Sequence, residues 1–542
     1  MRIVLVIQVA ALLFGVPALA QSEARLWTKV EKELRSAKAY ADPLYEVSSF
    51  TATFRSPSGR ARKISGFWDG GITWKIRFSP DETGTWSFTT ECSDTSNTGL
   101  HGQSGTFMVA PAEIPHPIYA KGALRRPLGN YHLTYADGTP FFWFADTAWN
   151  GALKATDAEW ELYLKDRASK GFNAIQVVTT QWRGGAGDTD GRTAFEGSGK
   201  IRVNPEFFKR LDRRIDQINE HGLVAALVVL WALPISLGRE LSPGYILPEP
   251  EAILLARYIV ARYGGNQVVW FLGGDGKYVD EYEQRWKTIG RAVFGAGNYQ
   301  GLVAQHPMGR SWIGDAYANE PWLDIVGYQS SHSAAESTVN WINRGPMAER
   351  WDKLPARPLI NLEPLYENTA ASNSDDVRKA CYWSLFATPV SGISYGNHAI
   401  WPWLAKGEKA LNHSGTASPN SWQDTLGFPA VVQVSNMVRF IGRLRWWELR
   451  PRNADLLVEQ PGLADYRQFV SVLGTNDAAT VLVYFPAKLV CHLRNPKLLA
   501  YSAQWFNPVD GQYMSEETLQ PQPVLHLTPP FEKDAVAILR VR

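Results

Sequence analysis

PLINLEPLYE, residues 358–367, begins as an apolar run and ends in acid. Pro358, Leu359 and Ile360 form a short bounded hydrophobic segment, the pattern of a buried strand. Pro364 cannot donate to a ladder, so the strand should stop there. Asn361, Glu363 and Glu367 then put an amide and two carboxylates where the chain leaves its sheet. In α/β proteins that position carries catalytic groups. A strand ending in plain solvent would look the same, so the flanking sequence has to decide.

Outward from this stretch, strand-like and helix-like runs alternate between about residues 128 and 442. Eight strand candidates cover 141–145, 174–178, 225–230, 268–272, 301–304, 325–328, 359–362 and 392–395. Helical patterns cover 157–170, 204–221, 251–263, 280–294, 333–350 and 375–387, and the link between strands five and six is short and unconvincing as a helix. Phe207, Phe208, Leu211, Ile215 and Ile218 show the 3.6-residue spacing. Eight β-then-α units predict a (β/α)8 TIM barrel. No glycine fingerprint follows the first strand, which removes the dinucleotide-binding reading.

The flanks read differently. Residues 24–39 look helical, and from residue 45 the chain alternates with turns at 57–59, 69–71 and 79–84, as in an antiparallel sandwich. From about Trp446 the pattern is all-β again. The expected organisation is a signal peptide over 1–20, an N-terminal β-sandwich over 21–112, a catalytic barrel over 113–445 and a C-terminal β-sandwich over 446–542. Trp505 and Tyr513 are read as core residues in preference to a sugar platform.

The first twenty residues combine Arg2, an apolar run from Ile3 to Val16 and the small-x-small ending Ala18-Leu19-Ala20, a secretory leader too short to be a membrane span. A secreted or periplasmic protein is expected, with no membrane span after cleavage. Net charge is +2 and no basic cluster resembles a nucleic-acid patch, so no nucleic-acid partner is expected. The three cysteines, Cys92, Cys381 and Cys491, make no disulfide framework. Aromatic side chains abound, with 22 Trp, 21 Tyr and 23 Phe, enough for a large core and for the flat faces on which sugar rings stack.

At the carboxyl ends of the eight strands the sequence places Asp146 and Trp149, Gln181 and Trp182, Trp231, Asp275, His306, then Tyr328, Gln329 and His332, then Glu363 and Glu367, and finally His398 and Trp401. Such a ring describes a pocket for a polyhydroxylated ligand. Glycoside cleavage needs two carboxyl groups across the scissile bond. Strands four and seven lie on opposite sides of an eight-stranded barrel mouth, so their acids Asp275 and Glu363 can face each other across a substrate and are the candidate pair, with Gly273 and Gly274 clearing space beside Asp275. A helix N-cap is the structural alternative for Asp275, Glu367 is the competitor of Glu363, and Asp146 is read as a ligand to substrate hydroxyls. This chemistry needs neither a metal nor an organic cofactor. There is no G-x-S-x-G or H-E-x-x-H to support esterase or peptidase chemistry.

The segments ADTAW (145–149), GFNAIQVV (171–178), FLGGD (271–275), GYQSSH (327–332), NLEPLYE (361–367) and YGNHAIW (395–401) together resemble the apiosidase-type family of bacterial glycosidases, glycoside hydrolase family 140. The resemblance covers about residues 128–442. It implies a retaining glycoside hydrolase acting on plant or microbial polysaccharide, with pectic side chains and apiose as the implied target. Asp275 would be the acid/base and Glu363 the nucleophile. Tyr328 would hydrogen-bond the nucleophile and Trp401 would floor the sugar subsite. One departure matters: where the wider clan has Asn-Glu at strand four, this chain has Gly274-Asp275. Retention predicts carboxyl groups about 5–5.5 Å apart and an Asp275 with a raised pKa. The alternative is a non-catalytic carbohydrate- or matrix-binding protein, which the presence of both acids disfavours. Oligomeric state is left open.

Overall fold

The computed structural model describes residues 24–234, 237–369, 372–413, 415 and 417–542. The expected leader at residues 1–20 lies outside them. Eight parallel strands close into a barrel: β1 (Trp143–Thr147), β2 (Ala174–Val178), β3 (Val224–Trp231), β4 (Val268–Gly276), β5 (Leu302–Pro307), β6 (Ile325–Gln329), β7 (Leu359–Glu363) and β8 (Gly392–Tyr395). Pairing of β8 with β1, Phe144 opposite Ile393, completes the ring. Buried on both faces, these strands read as continuous apolar runs without alternation; all eight residues of β3 are buried.

The crossover helices are amphipathic or buried: α1 (Asp157–Ser169), α2 (Pro205–Glu220), α3 (Glu249–Tyr263), α4 (Glu283–Phe294), α5 (Glu336–Arg344), α6 (Ser374–Phe386) and, after β8, α7 (Pro429–Ile441). Their starts are chemically marked. Thr156 and Glu159 form a reciprocal capping box on α1, Asn373 and Asp376 another on α6, and Asn204 caps α2 ahead of Pro205. The pattern over 333–350 breaks into two helices because Gly345-Pro346 restarts the chain at Pro346–Arg350. No helix joins β5 to β6. α7 had no counterpart among the helical patterns named from sequence.

Residues 24–35 correct the helical expectation: they form strands Ala24–Arg25 and Val30–Arg35. The Glu and Lys residues suggested a helix, yet burial alternates with period two and Val30–Arg35 pairs antiparallel with Thr73–Phe78. Residues 24–110 build a five-stranded and a three-stranded sheet around Phe54, Phe78, Trp86 and Phe107. Arg77 and Arg262 share Asp212 at 2.6 and 2.7 Å and fasten these sheets to the barrel.

At the other end a six-stranded sheet and a two-stranded sheet follow residue 450. The six-stranded sheet packs on α6 and α7 through stacked Tyr382–Tyr484 and Phe440–Phe506 pairs, both with centroids 4.6 Å apart. Buried Arg378 grips Asp534 bidentately at 2.8 and 2.5 Å. Trp505 and Tyr513 do pack in cores, against Phe485 and Phe506. All three cysteines are free and buried. Among the described residues no helix is long and apolar enough to cross a membrane.

Candidate active site

Asp275 lies inside β4, eight residues before α4 begins at Glu283, so it caps no helix. Its backbone is left-handed, φ 49°, a conformation that a non-glycine residue adopts at a cost. The ladder to β5 shifts register around Gly274 and Gly276, which turns this residue out of regular pairing. The flanking glycines are required by close packing: a Cβ on Gly273 would sit 2.4 Å from Tyr278 Oη, and one on Gly274 2.7 Å from Trp231.

Across the barrel mouth, Glu363 ends β7. Its Oε1 accepts from Tyr366 Oη at 2.7 Å and from His332 Nε2 at 2.9 Å. His306 Nε2 approaches Oε2 to 3.1 Å without hydrogen-bond alignment. Burial alone would raise the Glu363 pKa; the ring N–H groups of His306 and His332 beside it outweigh that and hold the carboxyl well below its usual range. The opposite holds at Asp275. Burial first, then the Glu363 charge, push its pKa up to about 7. The surroundings thus favour the protonated form of one acid and the ionised form of its partner, the division of labour that two-carboxylate chemistry requires.

Asp275 and Glu363 share a cavity of about 290 Å³ with Trp149, Trp182, Trp231, Trp401, Gln329, His332 and His398. The indoles form one continuous wall, with Trp182 4.1 Å from Trp231 and 5.9 Å from Trp401 between centroids. Trp182 is pinned by its Nε1–H to Asn150 Oδ1 at 2.5 Å. Burial lowers the His398 pKa, and burial followed by the Arg183 charge lowers that of His413 to about 4, so both surroundings disfavour a charged ring.

Five residues expected at this pocket have other work. Asp146, fully buried, accepts from Arg167 Nε at 2.5 Å and Tyr163 Oη at 2.7 Å, behind the barrel wall. Gln181 anchors the following loop through Ala194 N–H (2.9 Å) and Phe195 O (3.0 Å). Glu367 accepts from Tyr395 Oη at 2.6 Å and from the Ala430 amide at the start of α7 at 2.8 Å, so it does not compete with Glu363. Tyr328 turns its hydroxyl to Ser384 O, 3.4 Å away, and Tyr366 takes the place beside the nucleophile candidate that had been given to it. His306 is buried under the acids and does not line the cavity. Alternation of side chains along the short strands decides Asp146 and Tyr328: one residue's shift sends a side chain outward to the helices. Arg183, Tyr366, Thr369 and His413 were not singled out from sequence, yet all line the cavity. Only Tyr366 carried a signal, three residues after Glu363.

Two predictions follow from these contacts. Tyr366→Phe should lower kcat by about tenfold to a hundredfold, the value of one hydrogen bond to a charged group, with the acid limb of the pH–rate profile moving up as Glu363 loses a donor. Asp146→Ala should leave the buried Arg167 Nε without its acceptor, with Asp166 alone holding the other end of the guanidinium, and cost about 1–3 kcal/mol of stability, read as an earlier denaturation midpoint with KM unchanged in the folded enzyme.

The apiosidase-like catalytic-domain family matches residues 128–448, more than half of the chain. The chain belongs to the apiosidase-like family. It is a glycoside hydrolase. A domain of unknown function, DUF5060, matches residues 23–93 of this apiosidase-like chain. Among solved structures, a putative glycoside hydrolase from Bacteroides vulgatus is 18% identical, with a TM-score of 0.70 over 96% of this chain and 100% of that one. A glycoside hydrolase family 5 protein from the same organism is 20% identical, with a TM-score of 0.67 over 78% and 93%. A third, described as a glycoside hydrolase, is 21% identical, with a TM-score of 0.66 over 78% and 98%. These likenesses establish the shared fold. No curated protein matches the chain in sequence.

Proposed function

We propose that this apiosidase-like protein is a retaining glycosidase acting on side chains of pectic or related polysaccharide, with Asp275 as acid/base and Glu363 as nucleophile. The observation that carries this reading is the placement of the two acids from β4 and β7 in one Trp-walled cavity, with surroundings that push their pKa values in opposite directions. Protonated Asp275 delivers a proton to the leaving oxygen while ionised Glu363 attacks the anomeric carbon; Asp275, now a carboxylate, then activates water to release the sugar. The tryptophans stack on the apolar face of the ring, and Gln329, His332 and His398 meet its hydroxyls.

The family description supports apiose as the sugar. Arg183 supports an acidic polysaccharide. Its guanidinium lines the cavity, donates to Asn412 O at 2.9 Å, leaves Nε buried without a partner, and has no carboxylate at salt-bridge distance among the described residues. The leader at residues 1–20 supports export to the periplasm or medium, and residues 21–112 and 446–542 are read as two flanking sandwich domains around the catalytic barrel.

Hydrolysis of a panel of aryl glycosides and pectic oligosaccharides, with the first-formed anomer followed by NMR, tests the proposal. Retained configuration is expected. An inverted product would remove the nucleophile role from Glu363 and make it the base for water, and binding without turnover by the wild type across the panel would defeat the catalytic reading.

A further inference from the structure

We propose that His306 is a positioning residue that ties the strained backbone of Asp275 to the carboxylate of Glu363, so that the two acids are held as one unit. The inference rests on the acid/base and nucleophile reading above. Where β4 turns out of register at Asp275, the ladder to β5 offers that residue's amide no regular partner. The amide donates instead to His306 Nδ1 at 3.2 Å. Nδ1 therefore presents its lone pair, and the ring proton sits on Nε2. That nitrogen faces Glu363 Oε2 at 3.1 Å, and Oε2 has no other partner among the described residues.

The ring cannot turn away. It is fully buried, stacked on Phe271 with centroids 5.9 Å apart, and met edge-on by Trp149 at 5.4 Å. His306 thus supplies on one side the backbone acceptor at the left-handed Asp275, and on the other brings its Nε2–H within 3.1 Å of the unpartnered Glu363 Oε2. The charged and titratable groups around it are Asp275 on β4, Glu363 on β7, His332 and Tyr366 on the loops after β6 and β7, and Arg183 after β2. Among them only Asp275 and Glu363 make these two contacts.

His306→Phe keeps the ring shape in its aromatic cage and removes both nitrogens. We expect kcat to fall on the order of 100-fold, as for a small misplacement of reacting groups, with KM within about threefold and the acid limb of the pH–rate profile raised by about one pH unit. His306→Gln retains a donor toward Glu363 and should bring the acid limb back toward that of the wild type while kcat stays low. In the wild type, ¹⁵N NMR of labelled histidines should show His306 protonated at Nε2 and bare at Nδ1. A proton on Nδ1, or an acid limb unmoved in His306→Phe, would overturn the proposal; should that variant not fold, the tautomer and the Gln variant decide it. Activity surviving in Glu363→Gln and Asp275→Asn would instead defeat the glycosidase assignment, whereas loss of activity there with unchanged pH limbs in the His306 variants would defeat only the role of His306.

Discussion

Glu363→Gln should lower kcat on the order of 10⁴-fold, the loss seen when a member of a covalent catalytic unit is removed, with the barrel intact. The substitution is isosteric and keeps an acceptor for Tyr366 and His332, both within 2.9 Å of Oε1. What it removes is the charge that those donors and His306 hold in place. Glu367, four residues on, cannot take its place, because it is committed to Tyr395 and the start of α7. Azide separates the roles of the two acids. With Glu363→Ala and an activated aryl glycoside, azide can occupy the vacated space and should give a glycosyl azide of inverted configuration. With Asp275→Ala it should intercept the glycosyl-enzyme and give the retained azide. Wild-type turnover by Glu363→Gln, or the same azide anomer from both variants, would break the assignment.

Asp275→Asn should have the second largest effect, and its signature lies in pH. General acid catalysis contributes about 10²–10⁴-fold, so kcat should fall by that order for substrates with poor leaving groups and much less for activated ones. In the wild type, activity should fall as pH rises through about 7, where Asp275 loses its proton; in the variant that limb should vanish. Stability should move the other way. A carboxyl whose folded pKa is raised contributes stability that is fully present below its unfolded value and is lost as pH rises through the folded one. The wild type therefore carries at pH 8 the cost of a carboxylate beside Glu363. Asp275→Asn does not, so it should be the more stable protein at pH 8 by on the order of 1 kcal/mol, discounted for the solvent that reaches this side chain, with the difference shrinking toward pH 4. Thermal melts at the two pH values check this, and an advantage of equal size at both would show that Asp275 is not the titrating group.

Much of the barrel was legible because parallel strands buried on both faces leave long apolar runs that end abruptly in polar residues. β2 and β8 have the bounds the pattern suggested, and β7 runs one residue further, to Glu363. The helical patterns also located α1, α2 and α6, and in the structure their starts carry caps at Thr156, Asn204 and Asn373. The strand Val30–Arg35 was not legible as a strand, because its Glu and Lys residues favour a helix and its pairing partner, Thr73–Phe78, lies some forty residues away.

Sequence by itself determined the eightfold alternation, the family, the two acids at opposite strand ends and the excess of tryptophan around them. Those features are local or periodic, and each leaves its mark in a few neighbouring residues. Tertiary structure alone decided which polar residues at the strand ends face the cavity. Asp146 and Glu367 look as functional as Glu363 on paper, yet each is turned toward helices that meet it only in the folded chain, Arg167 of α1 for one and the start of α7 for the other. The two acids' pKa values were likewise separated in space. Asp275 and Glu363 differ by one methylene, and what separates them is burial beside a negative charge for the first and, for the second, the donors His332 and Tyr366 with His306 close beside them.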